Sequence, residues 1–208
     1  MGTLMLAMTG FTQLNNSYFM PGERLPDIPL SRIINYKDSV GKLSDFQGKL
    51  IIIDFWSIHC SPCVAEFPLM DSIQKNLGDK VQLLLVTYDP KEKVVPFLAK
   101  WEEDHHTKFS VPIIYGDMAL NSLFPHYGNP CKVWISTYGK FMTLTNERQL
   151  FNYDTVKNRA NELVDYLAQL KRDLPPSAYE FKTPKDTLNS IMKNNTMSFD
   201  GWSINWLL

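Results

Sequence analysis

Leu50-Ile51-Ile52-Ile53-Asp54-Phe55-Trp56, then Ser57-Ile58-His59-Cys60-Ser61-Pro62-Cys63, decides how the rest of the chain is read. The first seven residues are almost all β-branched or apolar, the pattern of a strand buried on both faces. From Ser61 the period changes. Val64, Phe67, Met70, Ile73 and Leu77 recur at three- and four-residue spacing until Gly78 ends the segment. Two cysteines therefore stand where a buried strand hands over to a helix. Pro62 suits the first helical turn, where a missing N–H costs little. Pro68 cannot bond the carbonyl of Val64, which predicts a kink just below the cysteines.

That location has a chemical consequence. The first N–H groups of a helix lack intrahelical partners and the helix dipole is positive there, so a sulfur at Cys60 is favoured as thiolate. Its pKa is expected below the free value of about 8.5. Cys63 lies one turn further on the same face, close enough to form a disulfide with Cys60. The expected roles are Cys60 as exposed attacking thiolate and Cys63 as shielded resolving thiol. Asp54, in the middle of an apolar strand, is expected to be desolvated with its pKa raised. At the strand's end it is placed to lie beneath Cys63 and accept its proton. A carboxylate bonded to backbone or water for structural reasons is the alternative.

Ile-Ile-Asp-Phe-Trp, three residues, then Cys60-Ser61-Pro62-Cys63 resembles the active-site stretch of the thioredoxin superfamily, in particular the bacterial periplasmic thiol-disulfide reductases of the TlpA and ResA type. The resemblance spans Gly22 to Lys171. It implies an α/β, thioredoxin-like fold: a central mixed β-sheet flanked by helices, with an N-terminal β-hairpin addition. It also implies a thiol-disulfide oxidoreductase that reduces protein disulfides by dithiol exchange, with Cys60 and Cys63 as the redox-active disulfide. The partners implied are a protein thiol or disulfide substrate and an upstream electron-donor thiol protein, with no cofactor and no metal. Three positions depart from the usual pattern: His59 for Trp, Ser61-Pro62 for Gly-Pro, and Asp54 where many members carry Asn. All three bear on redox potential and partner choice.

Composition narrows the class. The 208 residues carry 22 Asp and Glu against 21 Lys and Arg, a formal net charge of −1, with no long basic run. Nucleic acid and anionic membrane surfaces are therefore not expected partners. No stretch is long enough to span a bilayer. Three cysteines are too few for a disulfide scaffold, and one must lack an internal partner. The chain divides into residues 1–13, which look like a signal-peptide remnant without its basic start, a thioredoxin-like domain over 14–172, and residues 173–208. The last stretch is aromatic, and is either an extension or the start of a second domain. A signal remnant places the protein outside the cytosol, in the periplasm or otherwise exported.

Outward from the cysteines, Leu14 to Arg24 shows no clear periodicity and is expected to be mobile, a linker or the mature N-terminus. A pair of short strands is expected around Ile33 to Val40 with Tyr36-Lys37-Asp38-Ser39 as the turn. A helical turn over 43–47 should end at Gly48. Val81 to Tyr88 predicts a second buried strand, Val94 to His105 a helix, Val111 to Tyr115 a short extended piece and Met118 to Phe124 a short helix. Asn129-Pro130-Cys131 opens the next strand, since Pro belongs at a strand's first residue or edge. The family resemblance implies that Pro130 is cis and lies beside the CxxC, so that a substrate segment pairs along Asn129 as an added strand. Trp56, Asn129 and Pro130 are thus the expected substrate-binding residues, Trp56 also packing and shielding the disulfide from one side. Thr137 to Lys140 predicts a hairpin turn into Phe141 to Thr145, and Val156, Ala160, Leu163, Val164, Leu167 and Leu170 mark a closing amphipathic helix.

Other functions compete. A thiol peroxidase of the peroxiredoxin kind shares the fold, but its pattern requires Pro and Thr at the positions held here by Ile53 and Ser57. A zinc site completed by Cys131, His105 or His106 is opposed by the lone CxxC and the absence of a second tight ligand pair. A non-catalytic binding module is the third alternative. Beside the cysteines, an imidazolium at His59 favours the Cys60 thiolate, whereas Pro62 removes an N–H that would stabilise it. Cys131 reads as a small buried strand residue, with a second redox thiol as the alternative.

Overall fold

The computed structural model of the chain describes residues 19–146 and 151–175. Its strands are β1 (Pro29–Ser31), β2 (Ile33–Ile34), β3 (Val40–Lys42), β4 (Leu50–Phe55), β5 (Val81–Val86), β6 (Ile113–Ile114), β7 (Cys131–Ile135) and β8 (Phe141–Thr145). Its helices are α1 (Ser61–Val64), α2 (Phe67–Leu77), α3 (Lys91–His105), α4 (Ala119–Leu123) and α5 (Tyr153–Asp173). Six strands form one mixed sheet in the order β2-β6-β5-β4-β7-β8. β4 pairs parallel with β5 on one side and antiparallel with β7 on the other. An interior strand needs apolar residues on both faces, and all six residues of β4 are buried.

Alternation along β4 divides the core in two. Leu50 and Ile52 face one side with α2, α3 and α5, through Phe67, Met70, Ile73, Val94, Trp101 and Val156. Ile51, Ile53 and Phe55 face the other, against Leu25, Ile28, Leu43, Phe46 and, from α4 and its end, Leu120 and Phe124. The mixed sheet between helices is the α/β architecture expected, and β1 and β3 form the N-terminal hairpin as a separate two-stranded sheet. Gly48, at φ +95°, ends the single helical turn over Leu43–Phe46.

Three expectations need correcting. The chain from Phe19 on is not a loose linker. The ring of Phe19 packs 5.4 Å from that of Phe124, Gly22 N–H donates to Phe141 O at 2.8 Å, and Leu25 N–H donates to Gly139 O at 2.9 Å. This segment covers what would be the open edge at β8; Leu14 to Tyr18 lie outside the described residues. The hairpin partner of β3 is β1 rather than β2, because Arg32, at φ 58°, turns the chain after β1 and sends β2 to the main sheet beside β6. The helix from Ser61 to Leu77 is broken rather than kinked: Glu66 N–H bonds Cys63 O at i−3 spacing and a new helix starts at Phe67. Pro68 offers no N–H for the Val64 carbonyl, so the ladder cannot run through. Residues 1–13 and 176–208 lie outside the described residues, and no described helix is long and apolar enough to cross a membrane.

Phe67 binds the two halves of the helical face together. Its fully buried ring lies 4.7 Å from Phe109, 5.1 Å from Trp56 and 5.7 Å from Trp101. Phe67→Ala should therefore lower unfolding free energy by about 3–5 kcal/mol in urea titration; a loss of under about 1 kcal/mol would show that the cluster is loosely packed.

Candidate active site

The CxxC follows β4 through a loop that is tied down at several points. Trp56 N–H donates to Val86 O at 3.0 Å, and Ile58 N–H donates to the carboxylate of Asp89 at 2.9 Å. That carboxylate also accepts from the Thr87 hydroxyl at 3.1 Å, so the end of β5 positions the turn leading to the cysteines. Cys60 is the N-cap of α1, and its Sγ accepts a hydrogen bond from Cys63 N–H at 3.2 Å. Cys60 and Cys63 are joined as a disulfide of 1.97 Å with Cα atoms 5.3 Å apart. Cys60 is half-buried and Cys63 is fully buried. Because α1 is only one turn long, direct N–H donation replaces the long helix dipole as support for the Cys60 sulfur.

On the sheet face where Cys63 is buried lies a charged cluster. Asp54 shares its strand face with Leu50 and Ile52, the face on which Cys63 is buried, and pairs across β7 with Lys132. The Lys132 ammonium is 3.3 Å from Asp54 Oδ2 and 2.6 Å from Glu66 Oε2, and lies 4.6 Å over the ring of Phe151. All three charged groups are removed from water, with side-chain exposures of 3% for Asp54, 4% for Lys132 and 12% for Glu66. Glu66 accepts a hydrogen bond from Lys132. The nearest polar partner of the Asp54 carboxyl is that ammonium at 3.3 Å, a longer contact than the one Lys132 makes to Glu66. Burial pushes the Asp54 carboxyl up to about 7; the Lys132 charge opposes that rise and the Glu66 charge adds to it.

Asn129 and Pro130 stand just before β7, joined by a cis peptide bond. Phe55 pairs with Cys131, so this peptide and the exit from β4 toward Cys60 share one end of the sheet. With its amide nitrogen turned inward, Asn129 donates to the carbonyls of Phe55 at 3.2 Å and Gly128 at 3.3 Å. His126 stacks on the Phe55 ring at 4.3 Å. A cleft of about 460 Å³ lies here, lined by Tyr88, Asn121, Pro125, His126, Gly128 and Asn129. A more apolar groove of about 480 Å³, lined by Ile58, Ser61, Val64, Pro68, Phe97 and Trp101 among others, flanks the CxxC on the α2–α3 side.

Trp56 does not offer substrate a surface. It is 1% exposed, its ring held by Phe67 at 5.1 Å and Phe97 at 5.8 Å in the core cluster that also takes in Cys63. Cys131 is buried on the opposite face of the sheet from Cys63, among Phe55 and Val133. Burial, with the nearby Asp54 charge, pushes its thiol up to about 12. Among the described residues no three His, Cys, Asp or Glu side chains are grouped to hold a metal. Glu66, Lys132, Asp89 and His126 were not singled out by the sequence. Glu66 follows Cys63 by one turn, a signal within reach of spacing; Lys132 is placed only by the β4–β7 register.

A family model described as the AhpC/TSA family matches residues 21–142, over half of the chain. The chain belongs to the AhpC/TSA family. All the residues above except Phe151 lie within the matched region of this AhpC/TSA chain. Over 129 residues it is 27% identical to the thioredoxin-like protein YneN of Bacillus subtilis, covering 58% of this chain and 73% of the relative. Over 100 residues it is 32% identical to the thiol-disulfide oxidoreductase ResA of Oceanobacillus iheyensis, covering 47% of this chain and 50% of the relative, half of its length. Among solved structures, the exposed lipoprotein thioredoxin Etrx1 of Streptococcus pneumoniae superposes with a TM-score of 0.51 at 24% identity, covering 66% of this chain and 99% of that one. The thioredoxin domain of a thiol-disulfide oxidoreductase from Bacteroides vulgatus gives 0.50 at 21% identity, covering 71% and 99%. These likenesses establish the thioredoxin-like fold.

The Asp54 environment has a consequence for stability. Between the ordinary carboxyl value of 3.8 and about 7, folded Asp54 keeps a proton that the unfolded chain has lost. Stability therefore falls as pH rises through that window and levels off above it. Denaturation midpoints should drop more between pH 4 and pH 8 in the wild type than in Asp54→Asn; parallel pH dependences would show that Asp54 is ionised throughout.

Proposed function

We infer that this chain is a thiol-disulfide oxidoreductase acting by dithiol exchange, and propose that it reduces disulfides in proteins outside the cytosol. The observation that carries the reading is the asymmetry of the Cys60–Cys63 pair: bonded to each other, one half-buried and one fully buried. A sulfur that meets solvent can attack; a shielded one can only resolve.

In the reducing direction, the Cys60 thiolate attacks one sulfur of a substrate disulfide. A mixed disulfide forms and the first substrate thiolate leaves. Asp54 takes the proton of Cys63, whose sulfur attacks Cys60 and expels the second substrate thiolate. Substrate gains two electrons and, from Asp54 and solvent, two protons; the Cys60–Cys63 disulfide is left behind. A dithiol protein upstream must then supply two electrons to reopen it. Asp54 suits this step because a carboxyl with a value near neutrality both accepts and returns a proton. Asn129 and Pro130 are the proposed docking edge for an extended substrate segment. Exposed Tyr88, Met118 and Tyr127, on and near that side, favour a polypeptide over a small polar disulfide. The exported location rests on the leader-like pattern of residues 1–13.

A peroxidase of the peroxiredoxin kind would carry Pro and Thr where this chain has Ile53 and Ser57. Cys63→Ser should accumulate a reducible covalent adduct between Cys60 and a model disulfide protein, while Cys60→Ser accumulates none and is inactive. No adduct in Cys63→Ser, or hydrogen peroxide consumption by the wild type at a rate matching disulfide reduction, would overturn the reading.

A further inference from the structure

Two carboxylates and one ammonium are buried together on the sheet face that also buries Cys63, and their distances are unequal. Lys132 donates to Glu66 at 2.6 Å and stands farther, at 3.3 Å, from Asp54. With both acids ionised the cluster carries a net charge of −1; one proton makes it neutral. In a poorly solvated site that proton goes to the acid with less support. We propose that Lys132 is a positioning residue for the proton exchange at Cys63: its ammonium, held between the two buried carboxylates, anchors Glu66 and leaves Asp54 as the acid that takes up and releases the proton. The inference rests on the dithiol-exchange reading and deepens it.

The register makes Lys132 well suited to this role. It lies directly opposite Asp54 across the β4–β7 pair, and Phe151 covers its ammonium from the far side. The other neighbours in register are uncharged, Leu85 beside Asp54 on β5 and Thr145 beside Lys132 on β8. Glu66 approaches from the α1–α2 break, and Cys63 from α1. Cys131, behind the sheet, stays protonated through the working range. The charge of the site is thus set by Asp54, Glu66 and Lys132 together. In the exchange step the Cys63 thiol proton moves to Asp54 as the Cys63–Cys60 bond forms and the Cys60–substrate bond breaks. It then returns to solvent or to the departing thiolate.

The test is a titration of the Asp54 carboxyl by carbon-13 NMR, assigned by its loss in Asp54→Asn, alongside the pH profile of disulfide reduction. Lys132→Met should raise the Asp54 midpoint by about 1 unit or more, the shift that a charge within about 4–6 Å imposes. Lys132→Gln, which keeps a polar side chain at the buried position, should do the same, and Lys132→Arg should keep the wild-type value. Adding Glu66→Gln to either neutral variant should bring the midpoint part of the way back. The reduction profile should move in parallel. An Asp54 midpoint unmoved in both neutral variants overturns the proposal, as does a reduction profile that ignores it. A protein that titrates as stated but exchanges no disulfide fails the oxidoreductase reading instead, and the two failures are separable because the NMR midpoint needs no turnover.

Discussion

The pairing of β4 with β5 on one edge and β7 on the other is the constraint from which the rest follows. Strand side chains alternate, so this register sends Ile51, Ile53 and Phe55 to one face and Leu50, Ile52 and Asp54 to the other. A slip of one residue would drive the Asp54 carboxyl into the apolar cluster of Leu25, Phe46 and Val133. The same register sets Phe55 against Cys131 and Asp54 against Lys132. The cis Asn129–Pro130 peptide, the charged cluster and the turn carrying Cys60 are thereby brought to one end of one sheet.

Around that frame the site combines rigidity with an imbalance of exposure. Asp89 and Val86 fix the loop before Cys60, and Phe67 fixes the helix after it. Between these supports Cys60 is half-buried and Cys63 fully buried. The buried carboxyl of Asp54 is a costly feature in a strand of this kind, since desolvation disfavours its charge. Lys132 offsets part of that penalty while making its shorter contact, 2.6 Å, to Glu66. Such an arrangement costs the fold stability as pH rises from the ordinary carboxyl value of 3.8 to about 7.

Much of this was legible in the sequence. The apolar run into Cys60-Ser61-Pro62-Cys63 located the strand–helix junction, and Gly48, Pro130 and the hairpin turn at Thr137 to Lys140 marked their elements. Asp54 was conspicuous because a carboxyl does not belong in a buried strand without a reason. What could not be read depended on contacts distant in sequence. Lys132 looked like an ordinary strand residue until the β4–β7 register faced it to Asp54. β1 rather than β2 paired with β3 because of a left-handed turn at Arg32, where an arginine gives no local warning. The approach of Phe19 to Leu25 along β8 leaves no periodic trace, because such a segment is held by backbone bonds. Pro68 announces a disturbance, and its extent, a break rather than a kink, is set by the i−3 bond from Glu66 N–H to Cys63 O.

The central claim is that the two sulfurs differ in reach, Cys60 open to attack and Cys63 closed. Timed alkylation of the reduced protein with iodoacetamide, read peptide by peptide, measures that difference directly. The account predicts modification confined to Cys60 at neutral pH, with Cys63 and Cys131 protected until the protein is unfolded. Cys63 reacting as fast as Cys60 in the folded protein would contradict it.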